Sequence, residues 1–207
     1  MLDLTPQINR LAEAVDAARI EGQRLLVAIV GAPASGKSTL SEELARRLNA
    51  QKHPAQVVPM DGFHLDNRVL EARGLLPRKG APETFDAAGF VHMIRRLKAG
   101  EEVAVPVFDR ARDIAIAGAV IIPADLEVVI VEGNYLLFDE APWSDLAPLW
   151  DVTARISPPI SELRGRLIQR WLTHGLSRTA ATRRAEGNDI PNAERVIARA
   201  LPAQIEF

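Results

Sequence analysis

The chain has 207 residues, 47% of them hydrophobic, which suits one α/β domain with a sizeable core and is too short for two full domains. Its 25 lysines and arginines against 27 acidic residues leave a net charge of −2, so no global basic field marks nucleic acid as a partner. With no cysteine, disulfides and Cys-ligated metal centres are excluded, a composition that fits a reducing cytoplasm.

Met1 to Arg10 lacks the basic start and apolar core of a secretory leader, and no apolar run approaches membrane-spanning length. The expectation is a soluble, cytoplasmic protein with neither nucleic acid nor a membrane as partner. Thr5 as cap and Pro6 as first residue begin a helix whose stripe is Ile8, Leu11, Ala12, Val15 and Ala18. That helix is expected against the sheet edge, without chemistry of its own.

Arg24 to Val30 is an almost unbroken apolar run, as a strand buried on both faces of a parallel sheet requires. It feeds Gly31, Ala32, Pro33, Ala34, Ser35, Gly36, Lys37 and Ser38, followed by Thr39, which fits G-x-x-x-x-G-K-[ST] without a mismatch. In such a loop, successive backbone N–H groups converge on an anion, and the helix that follows offers its positive end. Lys37 is placed to reach the β- and γ-phosphates of ATP, and the Ser38 hydroxyl to ligate Mg²⁺. Leu40, Leu44 and Leu48 then recur at helical spacing.

Ala55 to Met60 reads as a second strand, ending at Asp61, and ligands of open parallel sheets bind at such strand ends. Asp61 can take a proton from a hydroxyl nucleophile, hold Mg²⁺ through water, or merely close an Asp-Gly turn; the upstream phosphate loop favours chemistry. His64 is a substrate contact or a structural histidine, while Asp66 and Asn67 can cap a helix through Val69, Leu70 and Ala72. Leu76 to Asp86 is a Pro/Gly-rich loop made locally basic by Arg78 and Lys79, either closing over anions or simply solvated. Asp86 caps a helix carrying Phe90, Met93, Ile94 and Leu97, which ends at Gly100.

Glu102 to Asp109 alternates like a half-exposed strand, and Ala117 to Ile122 can pair with it as an antiparallel excursion. Asp109 and Arg110 sit at its turn, as a substrate contact or a plain salt bridge. Leu126 to Val131 is a buried strand ending in Glu132, placed to tune the Mg²⁺ shell directly or through water. After the strand Asp151 to Ile156, the chain from Ile160 is helical and arginine-rich, with Arg166 and Arg170 one turn apart and Gly175 dividing two arms. This reads as a lid over the triphosphate or as a solvated basic face. The closing segment runs from Asn188 through Val196 and Ile197 to Ile205.

Taken together, Gly31 to Thr39, Met60 to His64, Arg78 to Gly80, Phe85-Asp86, Pro106 to Asp109, Glu132 to Tyr135, Arg166 to Arg170 and Asn188-Asp189 carry a resemblance. The chain resembles the phosphate-loop kinases that include phosphoribulokinase, uridine kinase and the bacterial-type pantothenate kinases. It looks most like the branch that bears the fructose transport system kinase label. The resemblance implies one α/β domain over residues 1–207 with a P-loop NTPase-type parallel sheet of about five strands flanked by helices. It further implies an arginine-rich helical lid over about 160–187 and a small antiparallel substrate hairpin.

The same resemblance implies Asp61 as the base and Arg166 and Arg170 as lid arginines; His64, Arg78, Lys79, Asp109 and Tyr135 are the candidate substrate contacts. The expected reaction is Mg·ATP-dependent phosphorylation of a hydroxyl on a small polar molecule, a sugar or sugar-like one. A nucleoside or pantothenate-like acceptor is the alternative within kinases, although pantothenate kinases have longer chains. A nucleotide-dependent regulatory ATPase is the alternative outside them, and the missing Asn-Lys-x-Asp sequence counts against a GTPase. A homodimer stays open.

Overall fold

The structure is a computed structural model and describes residues 4–207, so Met1, Leu2 and Asp3 of the segment read for a leader lie outside the described residues. Five parallel strands form the main sheet: β1 (Leu25–Gly31), β2 (Ala55–Pro59), β5 (Val128–Gly133), β6 (Val152–Ile156) and β7 (Ile205–Glu206). Their spatial order is β2-β5-β1-β6-β7. β3 (Val103–Asp109) and β4 (Ile114–Ile122) form a separate antiparallel hairpin, three residues longer in its second strand than the sequence suggests.

Strand alternation splits the core into two layers. Leu25, Val27, Ile29, Val128 and Ile130 pack with α1 (Thr5–Ala18) and α2 (Lys37–Ala50) through Leu11, Val15, Leu40, Leu44 and Leu48. Leu26, Ala28, Val30, Val129 and Val131 face the other way, toward Phe90, Ile94 and Leu97 of α4 (Ala87–Lys98). Two expectations change here. α1 lies on a face of the sheet beside α2, because its apolar stripe needs a partner layer, and Thr5 opens the helix while Leu4 takes the cap position. The cap of the short α3 (Asn67–Ala72) is as expected, Asp66 accepting from the Arg68 N–H.

The parallel register places the chemistry. β5 pairs with β2 so that Pro59 stands opposite Glu132, while β1 pairs Ile29 with Glu132 on the other side. Asp61, two residues beyond Pro59, and the phosphate loop, just beyond β1, therefore emerge at the same edge as Glu132. Asp61 belongs to a 3₁₀ turn, Met60–Phe63, and a Cβ on Gly62 would lie 2.5 Å from the Pro106 carbonyl oxygen. Glycine there lets the hairpin dock directly beside the acid.

Beyond β6, α5 (Ile160–Thr173) and α6 (Arg178–Arg184) form two arms separated at Gly175, which has φ +84°. A five-residue π-helical turn, Ala185–Asp189, joins α6 to α7 (Ile190–Ala198). No helix among the described residues is long and apolar enough to cross a membrane.

At the opposite end of the sheet, Arg24 is a buried side chain rather than the first strand residue. Its guanidinium donates to the carbonyls of Leu126, Leu97, Glu101 and Pro123 at 3.1, 3.1, 2.8 and 2.6 Å. It ties the end of α4 to the entry of β5. Arg24→Met keeps the aliphatic packing but leaves buried acceptors unpaired, and should lower unfolding free energy by about 3 kcal/mol in urea titrations.

Candidate functional site

The phosphate loop takes the shape its glycines allow. Gly36 has φ +100°, a conformation that costs a side chain, and α2 starts at the next residue, Lys37. The loop's outer wall is held from α5: Arg166 donates through Nη1 to the Ala34 and Ser35 carbonyls, both at 3.1 Å, and pairs through Nη2 with Glu162 at 2.5 Å. These bonds hold the Ala34 and Ser35 carbonyls on the α5 side, and the Ser35 N–H is bonded within the loop to the Ala32 carbonyl at 3.1 Å. Arg166, expected as a lid arginine over the phosphates, in this structure braces the loop's backbone. It also lines a second cavity of about 920 Å³ on that side, with Gly36, Thr39, Pro159 and Phe207.

Inside the loop, Ser38 donates from Oγ to Glu132 Oε1 at 3.0 Å, and Lys37 Nζ lies 3.9 Å from Glu132 Oε2. Glu132 is 5% exposed, and burial raises its pKa against the opposing pull of Lys37. Its Oε2 is buried without a hydrogen-bond partner. An orphaned carboxylate oxygen beside a serine hydroxyl is a hard-oxygen donor pair of the kind Mg²⁺ uses when phosphates and water complete its shell. No cluster of three or more acidic or histidine ligands exists among the described residues, so a cage made only of protein side chains does not fit.

Asp61 opens onto a cavity of about 620 Å³ that continues from Lys37. Its Oδ2 accepts from Arg110 Nη2 at 2.6 Å. Burial acts to raise its pKa, but His64, Lys37, Arg110 and Arg170 outweigh that and hold it below the usual aspartate value. Asp61 is thus a carboxylate turned toward a cation, which suits a base more than the metal ligand also expected of it. His64 lines the same cavity, its Nδ1–H donating to the Asp61 carbonyl at 2.8 Å and its ring set between Phe85 and Phe108. Burial lowers its pKa, which favours the neutral imidazole with Nε2 as acceptor.

The other substrate expectations divide. Lys79 lines the cavity, but its Nζ is bound to Asn67 Oδ1 at 2.7 Å and to the Asp113 carboxylate at 2.9 Å. Arg78 pairs with Glu83 at 3.0 Å and stays at the surface, outside the cavity wall. Asp109 is used by its own turn, accepting from the Arg112 N–H at 3.0 Å and from Arg112 Nε at 2.7 Å. Tyr135 is fully buried in an aromatic cluster with Phe85, Phe138 and Trp143, and its hydroxyl donates to the Gly80 carbonyl at 2.6 Å. Burial pushes its pKa up, and the hydroxyl ties down the loop at Gly80.

Arg110, read at the turn beside Asp109, is the residue that reaches Asp61, and Arg184, one arginine of the expected lid, lines the cavity together with Trp171. Two side chains that matter here escaped the sequence reading: Asn134, which lines the cavity with its buried Oδ1 unpartnered, and Trp171. Trp171 left a signal, a large aromatic among the arginines of α5; Asn134 depends on turn geometry.

Residues 26–201 match the Phosphoribulokinase / Uridine kinase family. The chain is 39% identical over 186 residues to an uncharacterized protein of Escherichia coli (strain K12), covering 88% of this chain and 77% of that one. A Schizosaccharomyces pombe protein provisionally named a uridine kinase is 36% identical over 183 residues, with 82% and 77% covered. Among solved structures, a protein of Silicibacter sp. TM1040 provisionally named a fructose transport system kinase superposes with TM-score 0.93 at 55% identity, covering 97% of this chain and 98% of that one.

Two predictions follow from this geometry. Arg166→Ala should raise KM for ATP about tenfold with a smaller change in kcat, because it loosens the loop, whereas Arg170→Ala should lower kcat about 100-fold; steady-state kinetics separate them. Second, Glu132 with a raised pKa holds a proton that the unfolded chain has lost, between the ordinary value of 4.5 and its own raised value. Stability therefore falls as pH rises through that window. The Tm of wild type minus that of Glu132→Gln should decline from pH 4.5 upward and then level off, read by thermal melts across pH.

Proposed function

The chain belongs to the phosphoribulokinase/uridine kinase family, and we propose that this phosphotransferase moves the γ-phosphoryl group of ATP to a hydroxyl of a small polar metabolite, a sugar or sugar-like molecule. The observation that carries the reading is the placement of Asp61: an ionised carboxylate at the end of β2, facing a cavity that begins at the phosphate-loop lysine. A nucleotide switch needs no such acid beside a small-molecule cavity. The sugar itself rests on the provisional label of the Silicibacter protein.

In this reading the triphosphate lies along the N–H groups of Gly31 to Thr39, with Lys37 on the transferring group. The second cavity, between Arg166 and Phe207, takes the base and ribose. Ser38 and Glu132 would hold Mg²⁺, which would neutralise phosphate charge during transfer. Asp61 accepts the hydroxyl's hydrogen bond and orients the oxygen, then takes its proton as the bond to phosphorus forms. Its depressed pKa means proton transfer follows rather than precedes attack, in keeping with a loose transition state. Arg170, close enough to Asp61 to lower its pKa, meets the charge on the phosphoryl oxygens, and α5 and α6 act as the lid.

The test is ADP release in the presence of sugars, sugar derivatives and nucleosides. One class should accelerate turnover well above acceptor-free hydrolysis. With that acceptor, Asp61→Asn should lower kcat about 10²- to 10⁴-fold and Lys37→Ala about 10²- to 10³-fold, both variants keeping the wild-type circular dichroism. Turnover indifferent to every alcohol would favour the regulatory ATPase.

A further inference from the structure

Resting on that kinase reading, the charges around the acceptor cavity identify the chemical class of the acceptor. Five cations line the cavity: Lys37, Lys79, Arg110, Arg170 and Arg184. Three of them already have carboxylates. Lys37 lies over Glu132, Lys79 holds Asp113 and Arg110 holds Asp61. Arg170 and Arg184 instead lie against the indole of Trp171, with guanidinium carbons 5.8 and 5.2 Å from a Trp171 ring centroid. The carboxylate near both is Asp189, whose Oδ2 accepts from the Trp171 N–H at 2.5 Å and which feels the charge of each arginine.

The two arginines are not equivalent. Arg170 is close enough to Asp61 and Arg110 for each to perturb it, so it stands at the reacting end with Lys37. Arg184, on the other arm α6, lines the same cavity, together with His174 of the α5–α6 connection. The transferring phosphoryl group engages Lys37 and Arg170. An acceptor whose hydroxyl meets Asp61 then extends toward Arg184, a guanidinium held 5.2 Å over the Trp171 ring whose N–H groups can bind an anion.

We infer that the acceptor is an alcohol bearing an anionic group, a carboxylate or a phosphate, and that Arg184 is the residue that selects for it. A neutral sugar would leave this guanidinium with only Asp189, already bonded to Trp171, as a counter-charge, and Trp171 would offer a nucleoside base a face already covered by arginine. The α5–α6 pair thereby joins the two halves of the reaction: Arg170 attends the donor and Arg184 the acceptor, one on each arm.

The test uses a matched four-carbon set, erythritol, erythronate and erythritol 4-phosphate, titrated by calorimetry into the full chain saturated with Mg²⁺ and a non-hydrolysable ATP analogue. At least one anionic member should bind tenfold or more tightly than erythritol, and the stronger anion tells carboxylate from phosphate. Arg184→Gln should remove most of that preference and Arg184→Lys restore part of it, a pattern that a purely structural stack on Trp171 would not produce. Erythritol binding as tightly as both anions, or a preference that survives Arg184→Gln, overturns the assignment. Parallel ADP-release assays with neutral and anionic alcohols keep the two readings apart. Acceleration by neutral alcohols alone overturns the anionic acceptor and keeps the kinase; anion-selective binding without acceleration by any alcohol does the reverse.

Discussion

Two carboxylates and a lysine share the carboxyl edge of one parallel sheet, and the balance among them constrains everything built around it. The register that sets Pro59 opposite Glu132 brings Asp61 close enough for its charge to be felt by Glu132. Like charges this close cannot both be stabilised by the same partner. The fold resolves the conflict by giving them different environments. Asp61 faces Arg110, Lys37 and Arg170 and stays ionised; Glu132 is buried with one oxygen unpartnered, and its pKa rises. Environments that push two acids apart assign them separate tasks, one ready for a proton and the other waiting for a cation.

That arrangement is destabilising in isolation, and the surrounding structure holds it in place. A buried carboxylate oxygen, a buried Asn134 oxygen and a lysine 3.9 Å from its counter-ion are groups that a chain selected only for stability would replace. The compensation lies in the two apolar layers on either face of β1 and β5 and in fully bonded polar groups such as Arg24 at the far end. Polar satisfaction is complete where nothing binds and incomplete where a ligand belongs.

The sheet and the phosphate loop were legible in the sequence because their signals are local. An unbroken apolar run, a glycine at a positive-φ position and leucines at helical spacing each report a conformation within a few residues. Side-chain targets were less legible. Arg166 and Arg170 share a helical face, yet four residues advance a helix by about 400°, leaving ~40° and one turn of rise between them. That offset suffices for one to reach the phosphate loop's carbonyls and the other to reach the cavity. Likewise Asp109 and Arg110 are neighbours at one turn, but the backbone there sends the first to its own turn and the second to Asp61. Tyr135, two residues beyond the sheet, is drawn into the aromatic core because that core has room for a ring and a carbonyl for its hydroxyl.

The division of labour that results has a physical origin. The phosphate loop, Lys37, Ser38 and Glu132 sit on the sheet or the helix fed by it, where hydrogen-bonded strands fix positions tightly, and α5 braces the loop through Arg166. The groups facing the acceptor, apart from Asp61 and Asn134, come from the hairpin turn, the loop before α4 and the arms α5 and α6, none of which is part of the sheet. A two-stranded hairpin is marginal by itself. It is held here by the approach of Pro106 to Gly62 and by the Lys79–Asp113 and Arg110–Asp61 pairs. Substitutions in such elements can change which molecule is accepted while leaving the phosphate loop, Glu132 and the strand register untouched. Common chemistry with divergent acceptors is what this separation permits, and it places the information about the acceptor in Arg110, Trp171 and Arg184 rather than in the phosphate-loop motif.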